Sequence, residues 1–351
     1  MYPRSRETKF CLWLLMVFIF GTCSINSAQE GSKSIKSEEY LAKRPAEGPE
    51  GGAVSSSANA SKGTRAVAGN RNNSGRRKSG TAAQTSQAPP SFVYVVDKNF
   101  PEGPPPRNYE YVRMGVTIWR LSPSQCPIQD CPLPKASADS SKGLVDTATR
   151  VDDNVPLNNG ERVRLGLESL AQSGYVYIVD REQFADGSLG EGFLIFPTRK
   201  IDGGKNWAQP GQQIHLPRAG GCFCVKSRNG QKVLVADVLT VVLSPTPLLR
   251  GEEIGVDAIP VPFSLISFLG RDDKEKTFRA ILRDGSGLAQ TAQEQSAGAK
   301  GLFDTAPVLT QTDLPPQTFY QSIVPIGKVA VFNFSLQYGA AGSKESQSPS
   351  Q

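Results

Sequence analysis

Residues 329–338 read VAVFNFSLQY, and from Ala330 onward apolar side chains occupy every second position. Successive side chains of a β-strand point to opposite faces of its sheet, so this period of two predicts one inward and one outward row. The inward row is Ala330, Phe332, Phe334, Leu336 and Tyr338, and the outward row is Asn333, Ser335 and Gln337. We therefore expect a final antiparallel strand that completes the sheet system and does not begin another domain.

The same period recurs upstream, where short apolar runs are separated by Gly, Pro and Asn-Gly signals. The runs are 92–96, 111–121, 161–168, 174–179, 192–196, 213–217, 222–225 and 233–243. In 161–168 a row of Val and Leu alternates with Arg162 and Arg164, which predicts a strand buried on one face. Asn229 and Gly230 form a favoured hairpin turn. So many short strands predict a mainly β fold, an antiparallel β-sandwich or partly open barrel with one or two short helices.

Helix and loop signals are few. The segment DDKEKTFRAILR (272–283) begins with acidic residues, which favour a helix N-terminus, so we expect a helix there. The Gly-, Ala- and Gln-rich residues 284–305 predict a loop, and the polar stretch 133–160 predicts a long surface loop.

The N-terminus has the organisation of an export signal. Basic residues precede the apolar run CLWLLMVFIF (11–20), and small and polar residues follow it. This order is typical of a secretory signal peptide, and the run is about half the ~20 residues that a membrane-spanning helix needs. We expect a signal peptide over 1–28 with cleavage near Ala28, and an exported product that is periplasmic, at the cell surface or secreted. Lipidation at Cys23 is an alternative, although FGTC departs from the usual lipoprotein box.

Residues 29–90 differ in composition from the rest of the chain. They contain ten Lys and Arg, five Glu and few bulky apolar residues, so they predict a disordered basic linker. Of the formal charge of +6, this segment carries +5 and residues 1–28 carry +2, which leaves −1 for 91–351. A nearly neutral domain and the lack of interleaved aromatic residues give no reason to expect nucleic-acid binding. We expect a β-rich domain over 91–338 and a disordered tail over 339–351.

Six segments of the chain occur in an order that can be compared with that of known protein families. They read GVTIWRLSPS (115–124), GYVYIVDREQFADG (174–187), GFLIFPTRKIDGG (192–204), PGQQIHLP (210–217), VLTVVLSPTPL (238–248) and LTQTDLPPQTFYQ (309–321). This order resembles the bacterial exported domain-of-unknown-function family four-three-eight-four. The resemblance implies a family-like core over about 111–258, an extension over 259–338 that completes the sheet, an envelope setting, and no catalytic residues to transfer.

Four cysteines follow the predicted signal peptide: Cys126, Cys131, Cys222 and Cys224. Export favours disulfides. Cys126 and Cys131, in CPIQDC, are close enough to bridge, and that small ring would stabilise the fold by about 2 kcal/mol. Buried free thiols or a zinc site remain alternatives, although the spacing matches known zinc sites poorly.

Candidate contact residues lie in two polar regions. Asp180, Arg181 and Glu182 occur in an expected acidic turn, where Asp186 makes calcium binding an alternative, and Trp207 occurs in an expected loop. Tyrosines that could line a groove are Tyr109, Tyr111, Tyr175 and Tyr177, of which we expect Tyr175 and Tyr177, with Trp119, to be core residues. The single histidine, His215, has no identifiable orienting carboxylate, so we expect it to have a structural or surface role.

These observations favour a non-catalytic interaction module that binds a protein or an envelope polymer through loops 180–191 and 200–211. No catalytic, cofactor-binding or metal-binding residue is expected. One alternative is a carboxylate-based hydrolase that uses Asp152, Asp153, Asp180 or Glu182. Another is a structural envelope component attached through its basic tail.

Overall fold

The computed structural model describes residues 33–46, 92–126, 148–218, 221–226, 228–229, 232–269, 277–302 and 307–339. The predicted signal peptide with its cleavage site near Ala28, Cys23, Cys131 and the tail from 340 onward lie outside these residues. Within the described ranges, no helix is long and apolar enough to cross a membrane.

The described residues form a mainly β fold. The strands are β1 (Lys33–Lys36), β2 (Val93–Val96), β3 (Tyr109–Leu121), β4 (Thr149–Val151), β5 (Arg162–Ser169), β6 (Gly174–Phe184), β7 (Phe193–Phe196), β8 (Trp207–Ala208), β9 (Gln213–Leu216), β10 (Phe223–Cys224), β11 (Arg228–Asn229), β12 (Lys232–Ser244), β13 (Ile259–Pro260), β14 (Thr277–Leu282), β15 (Thr318–Pro325) and β16 (Ala330–Gln337). The α-helices are α1 (Glu38–Leu41), α2 (Phe263–Ile266) and α3 (Ala292–Lys300), and short 3-10 turns span Asp202–Gly204 and Gly251–Glu253.

The strands belong to two open antiparallel sheets. The first has nine described strands in the order β1-β2-β14-β15-β3-β5-β10, with β4 paired to β3 and β9 paired to β5. The second has the order β12-β6-β7-β13, with β16 paired to β12 and β8 to β6, and the two-residue β11 adds to β12 as a hairpin. Strands β14 and β15 complete the first sheet and β16 the second, so residues 259–338 belong to the same fold as the preceding strands.

The main core lies between the two sheets. It combines Val112, Met114 and Val116 of β3 with Val176 and Ile178 of β6. The period of two in β16 holds, since Ala330, Phe332, Phe334 and Leu336 all lie in this core. The predicted β-sandwich is therefore confirmed, with the hydrophobic effect of these facing rows holding the sheets together.

The outer faces of both sheets are also covered. An apolar layer that includes Tyr40, Tyr94, Phe100 and Phe319 lies on the nine-stranded sheet. A second layer, formed by Tyr177, Leu249, Leu265 and neighbouring residues, lies on the other sheet. The strand that was expected over 161–168 to be buried on one face is β5, and its side chains are buried on both faces. Arg162 and Arg164 are accommodated there because their guanidinium groups donate to the carbonyls of Cys126 and Gly221.

The prediction of a disordered linker over 29–90 is wrong for residues 33–46. Strand β1 pairs with β2 at the edge of the nine-stranded sheet, and α1 places Tyr40 and Leu41 in the outer apolar layer. These few apolar residues are sufficient because the outer face of the sheet supplies the rest of the layer. Composition alone could not show this, since the partner surface lies far away in the sequence.

The predicted helix over 272–283 and the predicted loop over 284–305 are both corrected. Residues 277–282 form β14, which is paired on both sides by β2 and β15, so tertiary pairing overrides local propensity. Residues 292–300 form α3, which begins at Thr291 with a capping box to Glu294. The residues TAQE (291–294) carry the sequence signature of that cap.

The cysteine pairing is not the short ring that the spacing in CPIQDC would allow. Cys126 forms a disulfide with Cys222, which is 96 residues away in the sequence, and Cys224 is also disulfide-bonded. The bridge joins the end of β3 to the segment before β10, beside the buried Trp119. It therefore closes a long chain loop at one end of the sandwich.

Candidate functional site

A groove of about 660 Å³ lies on the outer face of the nine-stranded sheet. Its floor includes Tyr111 and Arg113 of β3 and Gln321 of β15. Val112 and Met114 point into the core between the sheets, so the alternate residues Tyr111 and Arg113 point outward. A period of two thus places a phenol and a guanidinium side by side on an open surface.

Sheet register brings Arg113 and Gln321 together. The two residues are cross-strand partners on β3 and β15. Arg113 Nε donates a hydrogen bond of 2.6 Å to Gln321 Oε1. This bond fixes the plane of the guanidinium group in the floor of the groove.

Two aromatic rings flank the same guanidinium group. Its central carbon lies 4.7 Å from the ring centroid of Tyr40 and 5.5 Å from that of Tyr111. Each such cation–π contact is worth about 0.5–1 kcal/mol at a partly exposed site. The cation in the groove is therefore held in one orientation before any ligand arrives.

The N-terminal segment 33–46 forms one wall of the groove. Lys33, Ser34 and Ile35 of β1 and Tyr40 of α1 all line it. Across the rim, Lys33 Nζ lies 2.9 Å from Glu102 Oε1, and the hydrogen bond and charge of Lys33 lower the pKa of Glu102. The wall is thus supplied by residues that the sequence assigns to a linker.

Arg44 anchors this wall to the sheet. Its guanidinium forms two hydrogen bonds of 2.6 Å to the carboxylate of Glu168 and also donates to the carbonyls of Thr310, Asp313 and Leu314. Glu168 additionally accepts from the backbone N–H of Gly211. Because each charged group is buried and fully engaged, the wall is part of the folded core.

The expected acidic turn around Asp180 is instead part of a strand. Asp180, Arg181 and Glu182 lie on β6, and only Asp186 lies in the following turn. Strand alternation points Asp180 and Glu182 toward the core between the sheets and Arg181 toward the opposite face. The structure therefore separates the three residues that were expected to form one contact surface.

Asp180 lines a small acidic pocket, with Glu182 nearby on the same strand, and the sequence analysis did not identify the other acidic residue of this pocket. Asp237 lies opposite Glu182 in the sheet register, and the hydroxyl of Tyr338 donates to Asp237. Asp180, Asp237 and Tyr338 line a cavity of about 80 Å³ whose other walls are mostly apolar. The signal for Asp237, a lone carboxylate within the apolar run of β12, was available in the sequence.

Burial perturbs both aspartates of this acidic pocket. Burial, together with the negative charges of Asp237 and Glu182, raises the pKa of Asp180 to about 7. Burial and the charge of Glu182 raise the pKa of Asp237 to about 6, against the hydrogen bond from Tyr338. Among the described residues, no group of three or more His, Cys, Asp or Glu side chains could hold a metal ion.

The four carboxylates of the hydrolase hypothesis lie in two separate clusters. Asp152 and Asp153 both pair with Arg279, and Asp153 also accepts a 2.7 Å hydrogen bond from the hydroxyl of Tyr320. Asp180 lines the acidic pocket instead, and Glu182 lies two residues further along β6. Asp152 and Asp153 therefore do not form a catalytic pair with Asp180 or Glu182 in this structure.

His215 is enclosed within the fold. Its Nε2 lies 2.9 Å from Gln213 Oε1, and its ring packs edge-on against Trp119. Burial, followed by the charge of Arg164, lowers its pKa to about 3, so the ring stays neutral at physiological pH. A Cβ at Gly298 of α3 would lie 1.9 Å from this ring, which explains a glycine inside the helix.

The predicted aromatic contact residues divide between core and surface. Trp119 and Tyr177 are buried, as expected for core residues. Trp207 is 39% exposed and packs edge-on against Tyr175, at 4.8 Å between centroids. Tyr109 is exposed beside the groove, on the same face of β3 as Tyr111. Trp207 is therefore accessible to a binding partner, but it lines neither the groove nor the acidic pocket.

Comparisons with known proteins found no matching family model, no similar curated protein and no similar solved structure.

Proposed function

We propose that this protein is an exported, non-catalytic binding module that recognises an envelope polymer or a protein through the groove on its nine-stranded sheet. The observation that carries the proposal is the guanidinium of Arg113, held between Tyr40 and Tyr111 and hydrogen-bonded to Gln321. A cation fixed in this way loses little further freedom on binding, which favours recognition over mere surface charge. The groove replaces loops 180–191 and 200–211 as the proposed contact surface.

The cavity volumes favour the groove over the acidic pocket as the binding site. Binding sites for small ligands usually have volumes of about 300–1,000 Å³, and the groove falls within that range. The acidic pocket, at about 80 Å³, is too small for a substrate of a carboxylate-based hydrolase. The raised pKa values of Asp180 and Asp237 are explained by burial in the core without any catalytic role.

Export remains part of the proposal. The order of charges and apolar residues in 1–28 supports it, and a Cys126–Cys222 disulfide is consistent with an oxidising compartment. We also infer a distant relationship to family four-three-eight-four from the segment order given above. Fractionation of cells that express the full chain tests export, with the processed form expected outside the cytoplasm.

A site-specific photo-cross-linker tests the groove as the contact surface. The probe is placed at Tyr111 in the full chain, and in a matched variant at Trp207, which lies on the other sheet. We expect a discrete cross-linked product from position 111 that is lost when Arg113→Gln is added. Equal products from both positions, or products insensitive to Arg113→Gln, would contradict the proposed contact surface.

A deletion within residues 29–90 tests whether the protein is attached to the envelope through its basic tail. Removing all of 29–90 would also remove β1, Tyr40 and Arg44, and so would destroy the groove wall. Removing 47–90 alone leaves these residues in place. If attachment to the envelope depends on the basic tail, this shorter deletion releases the protein while cross-linking at Tyr111 persists.

A further inference from the structure

An apolar segment projects from the outer face of the second sheet. Residues 258–269 read AIPVPFSLISFL and contain no charged side chain. Leu265 of α2 is buried in the apolar layer that covers this sheet, and Leu269 packs against the same layer. Phe263 and Ile266, one helical turn apart on α2, are 90% and 47% exposed. Two large apolar side chains are therefore held outward by a turn that is anchored in the core.

Arg181 of β6 lies beside this segment. It points to the outer face of the sheet, and a Cβ at Gly192 would lie 3.5 Å from both Arg181 Cγ and Leu269 Cδ1. Among the described residues, none forms an ion pair with Arg181 or accepts a hydrogen bond from its buried Nε. The adjacent side chains on this face, Val179 and Val238, are apolar. Burial lowers the pKa of Arg181, so an anion beside the guanidinium would offset an uncompensated charge.

The two features together fit a lipid surface better than a protein partner. A specific protein interface buries about 800 Å² on each partner, and two side chains on a four-residue helix supply far less. A lipid surface needs no matching shape, because apolar side chains enter the boundary between headgroups and acyl chains. Basic side chains next to that boundary meet the phosphate groups of anionic lipids.

We propose that the outer face of the second sheet docks on an anionic lipid surface, with Phe263 and Ile266 in the boundary between headgroups and acyl chains and the guanidinium of Arg181 on a lipid phosphate. The charge of the chain fits the same partner, because residues 47–90 contain six Lys and Arg and two Glu. Stable attachment of a small apolar anchor usually needs such a second signal. The groove lies on the other sheet, so this inference goes beyond the proposed binding function and does not depend on it.

Co-sedimentation of the full chain with lipid vesicles tests the docking surface. The probe vesicles contain phosphatidylethanolamine and phosphatidylglycerol, and vesicles of phosphatidylcholine alone are the comparison. We expect binding to the anionic vesicles and weaker binding to phosphatidylcholine. Every protein compared carries the same apolar run over 11–20, so a difference between variants reports on the substituted position.

Substitutions separate the apolar contact from the charge contact. We expect the double variant Phe263→Ser with Ile266→Ser to weaken binding to anionic vesicles by about tenfold or more. Arg181→Gln should weaken it by about fivefold, and Arg181→Lys should restore most of that loss, because a phosphate also binds a point charge. Ile326→Ser, at a position that is 65% exposed after β15, is the matched control and should change nothing. Thermal unfolding of each variant shows whether a loss of binding reflects a loss of structure.

Hydrogen–deuterium exchange with the anionic vesicles locates the contact. We expect slower exchange over 262–269 and no change over 322–328. Deletion of 47–90 separates the basic tail from the docking surface, since the effect of the Phe263 and Ile266 substitutions should persist in the shortened protein.

Three results would overturn the inference. They are full vesicle binding by the double variant, a loss of the same size in Ile326→Ser, and equal binding of the parent protein to both kinds of vesicle. Loss of all binding on deletion of 47–90, with no effect of the α2 substitutions, would assign the attachment to the tail alone. The Tyr111 cross-link should persist in the double variant, so failure of the docking surface leaves the proposed groove standing.

Discussion

Arg44 and Glu168 form a bidentate ion pair that is almost completely buried, with side-chain exposures of 1% and 2%. The pair joins the N-terminal segment to β5 across 124 residues of sequence. A buried pair of this kind is costly to break, because removal of one partner leaves the other charge desolvated and alone. The groove wall therefore depends on a contact in the core of the protein.

We predict that Arg44→Ala lowers the free energy of unfolding by about 3–5 kcal/mol, because Glu168 becomes an unpaired buried carboxylate. Urea unfolding followed by tryptophan fluorescence measures it. The double variant Arg44→Met with Glu168→Leu should recover much of the loss. Lys200→Ala, which breaks an exposed pair with Asp257, should change stability by no more than about 0.5 kcal/mol. A loss of similar size in that control would contradict this account.

Deletion of residues 33–46 should both destabilise the domain and abolish groove binding. It would uncover Tyr94 and Phe319 and leave Glu168 without its cation. Deletion of 47–90, which retains the wall, serves as the control. Urea unfolding and photo-cross-linking from Tyr111 measure the two effects. Unchanged stability after removal of 33–46 would show that this segment does not pack on the sheet in solution.

The acidic pocket predicts that stability decreases as pH rises. In the unfolded chain both carboxyl groups titrate near pH 4, whereas the folded pKa values are about 7 for Asp180 and about 6 for Asp237. At these two sites the folded state therefore holds more protons, and their contribution to the free energy of unfolding falls between about pH 4 and pH 7, while the buried neutral His215 contributes in the opposite direction up to about pH 6.5. At about 1.4 kcal/mol for each pKa unit, the two aspartates together set an upper limit of about 7 kcal/mol on this loss.

Asp180→Asn should remove much of this pH dependence, since an amide cannot ionise in the pocket. The measurement is urea unfolding of both proteins at pH 5 and pH 8. Asp186→Asn is the matched control, because Asp186 is exposed and hydrogen bonds from Ser188 lower its pKa. If Asp180→Asn leaves the difference in stability between pH 5 and pH 8 unchanged from the parent, Asp180 is not buried in the way described.

The Cys126–Cys222 disulfide closes a loop of 96 residues. In the chain-entropy model a loop of that length contributes about 4–5 kcal/mol, compared with about 2 kcal/mol for the short ring expected from CPIQDC. We predict that the double variant Cys126→Ala with Cys222→Ala loses stability of the larger size. Peptide mapping without reduction should recover the two cysteines in one linked peptide pair. Recovery of Cys126 linked to Cys131 would contradict this connectivity.

The sequence predicted the two-sheet fold because alternation is a local property. The rows of β16 could be assigned from ten residues. The segment 33–46 could not be assigned in this way, because the burial of Arg44 depends on Glu168 and the burial of Tyr40 depends on Phe319. Local composition carries no information about partners at that distance.

The candidate site was only partly predictable for the same reason. Tyr111 was identified from its sequence as a possible groove residue, and alternation along β3 places Arg113 on the same face. The hydrogen bond from Arg113 to Gln321, 208 residues away, follows from strand register, which the sequence does not reveal. Asp180 was identified as well, but its partner Asp237 was not, since the pairing of β6 with β12 was unknown.

Hydrogen–deuterium exchange of the full chain, with and without the partner captured by the Tyr111 cross-link, tests the groove most directly. The account predicts slower exchange in 33–41 and in 109–113 when that partner is present, with no change in 207–208 or 180–184. Protection around Trp207 or Asp180, with none in the N-terminal segment or β3, would contradict it.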